Sequence, residues 1–201
     1  MSPHPRVGRD HILDAAEELF TEQGYKSASI REIARECGVT NAAIYYHFPN
    51  KESLFGEVIQ RHAAHLRDQM TLAGENIASM QERVVAILTA YVDAIAGQHA
   101  PIFMLRSNVK HIKMHGPHRG QFMQAVSQPL VETLKLAQQS GEIKKQPSAE
   151  EVAAMMLGML HGLAQQHRAT GVEGKALSHR DTQIAVDLFW DGISVQSGVN
   201  E

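Results

Sequence analysis

The sequence predicts an all-α chain of about nine helices, because apolar residues recur at helical spacing in one segment after another. Nowhere does it show the strict apolar alternation of a half-buried strand. Ser29-Ile30-Arg31-Glu32 and Ser148-Ala149-Glu150-Glu151 both have the form of capping boxes. In each, a Ser hydroxyl and a Glu carboxylate can satisfy backbone N–H groups reciprocally at a helix start. At 201 residues the chain can bury a real core, as one large domain or two small ones.

The run ILDAAEELFTEQGY at 12–25 forms the first helix. From Ser29 a short second helix brings Ile30, Ile33, Ala34 and Cys37 onto one face, and Gly38 ends it as a residue that tolerates φ > 0. Thr40 caps a third, Asn41 to His47, which Pro49 closes by disfavouring helical geometry at Phe48. Ile44 and Phe48, four apart, should be buried while Tyr45 and Tyr46 face outward; the plainer alternative makes the aromatics core residues of a small bundle. Residues 51–73 make one long helix through Leu54, Val58, His62, Leu66 and Met70, and 77–97 another, stopped by Gly97. A helix at 101–114 starts on Pro101, and 118–140 is helical with Pro129 marking a kink. Ser148 opens a helix to about Thr170, and the last runs from His179 to about Gln196 before a frayed end.

Helix, glycine turn, helix at 29–47 is the layout of a major-groove DNA reader. Asn41, Ala42 and Ala43 occupy the first turn of the second helix, the part that meets base edges. Asn can bond an adenine edge bidentately, and an Ala methyl can pack on a thymine methyl. Tyr45 and Tyr46 offer hydroxyls, and Lys51 a cation one turn further on, for phosphate contact from an exposed position.

At these residues the chain resembles the TetR family of transcriptional regulators. The resemblance is carried by ILDAAEELFTEQGY at 12–25, SIREIARECGVTNAAIYYHF at 29–48, and Lys51-Glu52-Ser53-Leu54. It implies a DNA-binding domain at 1–50 and an effector-binding and dimerisation domain at 51–201. It places Arg31, Thr40, Asn41, Ala43, Tyr45, Tyr46, His47 and Lys51 where family members commonly meet DNA; with Ser29 and Ala42 these are the candidate DNA-binding residues. Ala42-Ala43 stands where the family often carries a polar pair such as Gly-Thr, which removes a hydroxyl from position 43.

Charge argues mildly the other way. Residues 1–51 hold six Lys/Arg against seven Asp/Glu, a net −1 where a DNA-binding domain often has a plain excess of cations. The distribution softens this, since residues 37–51 contain no acidic side chain and helix N-termini attract phosphate without charged side chains.

The helix at 149–170 bears on assembly. From Val152 to Ala164 its one ionisable side chain is His161, so it must be covered on both sides. Helical spacing groups Val152, Met155, Met156, Met159 and Leu163, assigned to the subunit interior, against Ala154, Leu157, Gly158, His161 and Gln165, assigned to a partner. The final helix adds Phe189, Trp190 and Ile193 to the partner side. A homodimer joined by four helices is expected, and the family resemblance implies the same.

The family also binds small molecules in its C-terminal half. A lining of Leu66, Met70, Tyr91 and Ile95, with Phe103, Met123, Val126, Met155 and Met159, is apolar and offers Tyr91 and Arg106 as polar handles. Such a lining rewards a hydrophobic effector with at most one polar end. The methionines could equally be ordinary core, and Arg106 a surface residue.

Other classes fare worse. His111, His115 and His118 suggest a metal, yet no Asp, Glu or Cys lies between 99 and 131 to complete a site, so no metal or other cofactor is expected. Phosphate-binding loops, nucleophile elbows and di-iron motifs are missing, which argues against an enzyme. No apolar run approaches the ~20 residues that cross a bilayer, and no signal peptide opens the chain. The single cysteine, Cys37, suits a reducing cytoplasm and a small buried apolar role. The expected function is a ligand-responsive repressor that releases a palindromic operator when a hydrophobic molecule binds. The alternative is a helical small-molecule or metal-binding protein whose reader no longer works.

Overall fold

The computed structural model describes residues 8–96, 117–169 and 177–194. Among these are eight α-helices and no strand beyond an isolated bridge between Ile143 and Ser194. They are α1 (Arg9–Ser27), α2 (Ile30–Glu36), α3 (Asn41–His47), α4 (Lys51–Gly74), α5 (Met80–Ala96), α6 (Pro117–Ser140), α7 (Ala149–Ala169) and α8 (His179–Ile193). The helix expected at 101–114 lies outside the described residues. Two compact units divide the chain: Met1–Ala63 with Gln98–Phe122, and Ala64–Gly97 with Met123–Glu201.

In the first unit α2 packs against both α1 and α3. Helices of seven residues, such as α2 and α3, are too short to persist alone, so buried side chains must hold them. Ile12, Ala16, Phe20, Ile33, Ile44, Phe48 and Leu54 lose essentially all contact with water, each large one contributing roughly 1.5–3 kcal/mol. Helical geometry in α1 is interrupted at Gly24, whose φ of 79° only a glycine adopts cheaply, and a last turn follows to Ser27. That turn carries Tyr25 into an aromatic cluster, 4.6 Å from the ring of Phe55 and 5.7 Å from that of Phe20.

In the second unit α8 packs against α5 and α7. A hydrogen bond from Gln81 to Asp187 (3.0 Å) and a hydrogen bond between His179 Nε2 and Asp93 (3.0 Å) join the first contact at its edges. Two helix ends fall short of the sequence limits for local reasons. α5 starts at Met80 rather than 77 because Asn76 takes φ 60°, and the Ser79 hydroxyl accepts from Glu82 N–H as a cap. α8 stops at Ile193, whose carbonyl accepts from Lys144 N–H (2.7 Å), while the Lys144 ammonium donates to Gly192 O (2.9 Å).

The faces of α7 and α8 differ from the sequence assignment. On α7 the side chains of Val152, Ala153, Met156, Leu157, Leu160 and Ala164 are buried within the unit, so Leu157 belongs to the interior rather than to a partner. Met155 is 46% exposed and cannot line an internal cavity. Ala154 and Gly158 are exposed as expected, joined by Gly162. His161, assigned to the partner side, turns half inward to the buried hydroxyl of Tyr91. On α8, Trp190 and Ile193 are buried and Phe189 half-buried, whereas Ile184 and Leu188 point outward at 46% and 68% exposure. The true buried stripe of α7 is rotated by roughly a quarter turn from the assigned one. A helix apolar nearly all round carries no phase of its own, so its neighbours in the fold decide which face is covered.

Candidate nucleic-acid interface

The turn between α2 and α3 is fixed by backbone hydrogen bonds and two caps. Ser29 and Glu32 form the capping box: Glu32 N–H donates to Ser29 Oγ at 3.2 Å, and Ser29 N–H to Glu32 Oε2 at 2.9 Å. These bonds hold the Glu32 carboxyl below its usual range, the Ser29 hydroxyl contributing most. Because that hydroxyl also donates to Glu32 at 2.6 Å, Ser29 serves first as a helix cap. α2 closes with Val39 N–H on Ala34 O (2.9 Å) and Gly38 N–H on Arg35 O (3.1 Å), a Schellman pattern that places Gly38 at φ 66°. One residue on, Thr40 Oγ1 accepts from Ala43 N–H at 3.3 Å and starts α3.

Thus anchored, α3 buries Ile44 and presents the rest of its surface. Asn41 and Ala42 are exposed in its first turn, and Ala43 and His47 are half-exposed. Tyr45 is 51% and Tyr46 86% exposed, so the pair faces water rather than the core, and the Tyr46 ring stands edge-on to His47 at 5.1 Å. Arg31 is exposed on α2. Cys37 is buried, and burial pushes its thiol pKa up, as for an inert core thiol.

Lys51 differs from its expected exposed, phosphate-facing position. It is half-buried, and its Nζ donates to Tyr25 O at 2.6 Å and Ala28 O at 2.8 Å, 4.4 Å above the Tyr25 ring. The break at Gly24 strands these carbonyls after the helical run of α1, and a cation on the first turn of α4 is the donor that reaches them. Burial lowers the Lys51 pKa, and the nearby Glu32 carboxylate opposes that shift. Sequence reading missed this contact. A glycine ending a helical run, followed by an aromatic and later by a lysine opening the next long helix, is the signal that could have shown it.

Further contacts tie α1 to α4. Arg61 bonds Asp14 (2.7 Å) and Glu17 (2.5 Å), and His62 Nε2 lies 2.8 Å from Glu17. Arg9 pairs with Glu57 and stacks 4.9 Å from the Phe48 ring.

Of the candidate effector residues, Leu66, Met70, Tyr91 and Val126 are buried, and Met123 and Met159 half-buried, all in the second unit. Burial raises the Tyr91 pKa, and its ring meets His161 edge-on at 5.5 Å. Phe103, Arg106, His111 and His115 lie outside the described residues, as do the side chains of Ile95, His118 and Gln165.

The family model described as bacterial regulatory proteins, tetR family, matches residues 12–58, which take in α2, its turn and α3 whole. Over these residues the chain is similar to the TetR family of regulators. The transcriptional regulator AcrR of Shigella flexneri is 36% identical over 89 residues, covering 42% of this chain and 41% of AcrR. The transcriptional repressor KstR2 of Rhodococcus jostii is 30% identical over 107 residues, 52% of this chain and 51% of KstR2. The matched stretches therefore span about half or less of these two relatives. The solved FadR of Bacillus subtilis, in complex with stearoyl-CoA, superposes at a TM-score of 0.71 over 92% of this chain and 100% of FadR, at 21% identity. At that identity the likeness shows the fold. Each of these relatives is a transcriptional regulator or repressor.

Proposed function

We propose that this TetR-family chain acts in the cytoplasm as a homodimeric repressor that releases a palindromic operator when a hydrophobic small molecule binds its C-terminal part. The observation that carries the reading is the outward surface of α3, started by the Thr40 cap and anchored by buried Ile44, free of acid and rich in small and hydroxyl-bearing side chains. Such a surface fits a major groove, with Asn41 and Ala42 at base edges and Tyr45 and Tyr46 at phosphates. Residues 1–50 form the reader, and 51–201 the effector and dimer part.

The pairing face is the corrected one: Met155, Gly158 and Gly162 on α7, with Ile184 and Leu188 on α8. A Cβ built on either α7 glycine meets nothing within 4 Å, so a partner backbone can come close there. The isologous contact of a two-fold dimer matches the symmetry of a palindrome. An effector site opened among Leu66, Met70, Val126 and Met159, with Tyr91 as its polar group, would favour an apolar ligand; the acyl ligand of the FadR complex supports that class. A ligand that prefers the wrong spacing of the two readers releases DNA through its differential affinity for the two states.

The test is a gel shift against duplex DNA from the chain's own upstream region, repeated with small molecules identified by mass spectrometry of the purified protein. Wild type should shift the duplex, and co-purifying apolar compounds should reverse the shift. Tyr45→Ala should weaken binding with helicity and dimerisation unchanged. A helical carrier with an idle reader would bind the compounds and leave the duplex unshifted.

A further inference from the structure

We propose that Lys51 governs DNA binding as a positioning residue, clamping the corner between α1 and α2 to the start of α4, rather than as a phosphate contact. The proposal rests on the DNA-binding reading above. A lysine ammonium has three donors, and two of them already serve the carbonyls of Tyr25 and Ala28 at 2.6 and 2.8 Å. Its remaining face lies against the Tyr25 ring, where cation–π attraction adds to the hold. Reaching a phosphate would return both carbonyls to an unpaired state in a partly buried corner, a cost that weakens any gain from the new contact.

The clamp is placed to matter for the reader. Ala28 is buried and immediately precedes Ser29, the N-cap of α2, so holding its carbonyl fixes where α2 begins. Since α2 packs on α3, the position of α2 sets how far Asn41 and Tyr45 protrude. On the other side, Asn50 Oδ1 accepts from Ser53 N–H at 2.8 Å and fixes the first turn of α4, from which Lys51 reaches back. α1, α2 and α4 thus share one charged hydrogen-bond node. The Tyr25–Phe55 contact stiffens it from below.

Salt dependence separates this role from phosphate neutralisation. A phosphate contact releases counterions, so removing it lowers the slope of log affinity against log salt by about one; a positioning residue leaves the slope alone. Affinity for the upstream duplex, measured from low to moderate salt, is compared for wild type, Lys51→Met and Lys51→Arg, with Tm recorded for each free protein. Lys51→Met should bind about tenfold or more weakly at every salt concentration, with the slope unchanged and Tm reduced. Lys51→Arg, which keeps the charge but is too long and planar for the notch between the two carbonyls, should bind more weakly than wild type as well. Should Lys51→Met prove too unstable to measure, the arginine variant decides alone. Wild-type affinity in Lys51→Arg, or a slope reduced by about one with unchanged Tm in Lys51→Met, overturns the clamp. If wild type itself fails to shift the duplex, the regulator reading falls, and the positioning role with it; the Tm of Lys51→Met would still report the corner bonds in the free protein.

Discussion

The exposed surfaces of α3 and of α7 are both built largely from uncharged side chains, yet they came to be exposed in different ways. α3 is the second helix of a short, capped device: Ser29 fixes the start of α2, Gly38 the turn and Thr40 the start of α3, and Ile44 is the residue buried on α3. The turn before it and its start are written in local signals, and packing on α2 holds it in place. α7 is long and nearly apolar throughout, so any of its faces could serve as core. There the packing of α8 selects the stripe through Val152, Met156 and Leu160, and what remains is the face of Met155, Gly158 and Gly162. A surface specified by caps tolerates change in the bundle, whereas the proposed pairing face, specified by packing, depends on the whole unit.

The sharpest way to break this comparison uses two neighbours on α7. Gly158→Arg puts a long charged side chain on the open face, where a Cβ meets no atom within 4 Å, so the subunit should fold normally. The proposed dimer should then dissociate, and binding to a duplex carrying both proposed half-sites should fall by ~10²-fold or more as the second head loses its tethered concentration. Leu157→Ala, one residue away but 2% exposed, should leave the dimer in place and cost the subunit roughly 2–5 kcal/mol through a core cavity. Analytical ultracentrifugation and thermal melts read the two effects separately. A monomeric but otherwise stable Leu157→Ala would restore the partner-side assignment of Leu157 made from sequence alone, whereas a dimeric Gly158→Arg would remove Gly158 from the pairing face under either assignment.

The same contrast explains what could be read in advance. The capping box at Ser29, the turn at Gly38, the cap at Thr40 and the inward Ile44 and Phe48 are all near-neighbour effects, and each was legible. Lys51 was not, because its partners Tyr25 and Ala28 lie 26 and 23 residues away and accept through backbone atoms, which leave no mark in a side-chain pattern. Leu157 and Met155 exchanged roles for a related reason: one-dimensional spacing groups residues on a face but cannot say which face has a neighbour. Trp190 and Ile193 were misplaced on α8 in the same way.

A milder test bears on the reader side. Ser29→Ala removes the hydroxyl that accepts from Glu32 N–H, costing about 1 kcal/mol of stability. If α3 is held by its caps, the loss should appear as faster amide exchange across residues 30–47, with exchange in α5 and α8 unchanged. Uniformly faster exchange over the whole chain would mean that the caps do not act locally, and the contrast between the two regions would lose its basis.

The smallest expected effect concerns the ion pairs joining α1 to α4. Glu17 is held at about 2 against an ordinary 4.5, chiefly by the His62 ring nitrogen 2.8 Å away, with Arg61 adding to the same direction and burial opposing it. A carboxyl whose pKa is lower in the folded state stabilises the fold fully above the unfolded value and loses that contribution as protons bind on the way down. Its share of stability should therefore be complete above about pH 5 and vanish between there and about pH 2. Because Glu17 and Arg61 are each about a third exposed, solvent screening keeps the effect modest. Denaturant melts of wild type and Glu17→Gln should differ by a constant amount near neutral pH and converge as pH falls towards 2. A gap that persists unchanged at acid pH would assign the loss to packing of the side chain rather than to its charge, and would remove the His62–Glu17–Arg61 cluster from the forces that hold the reader to α4.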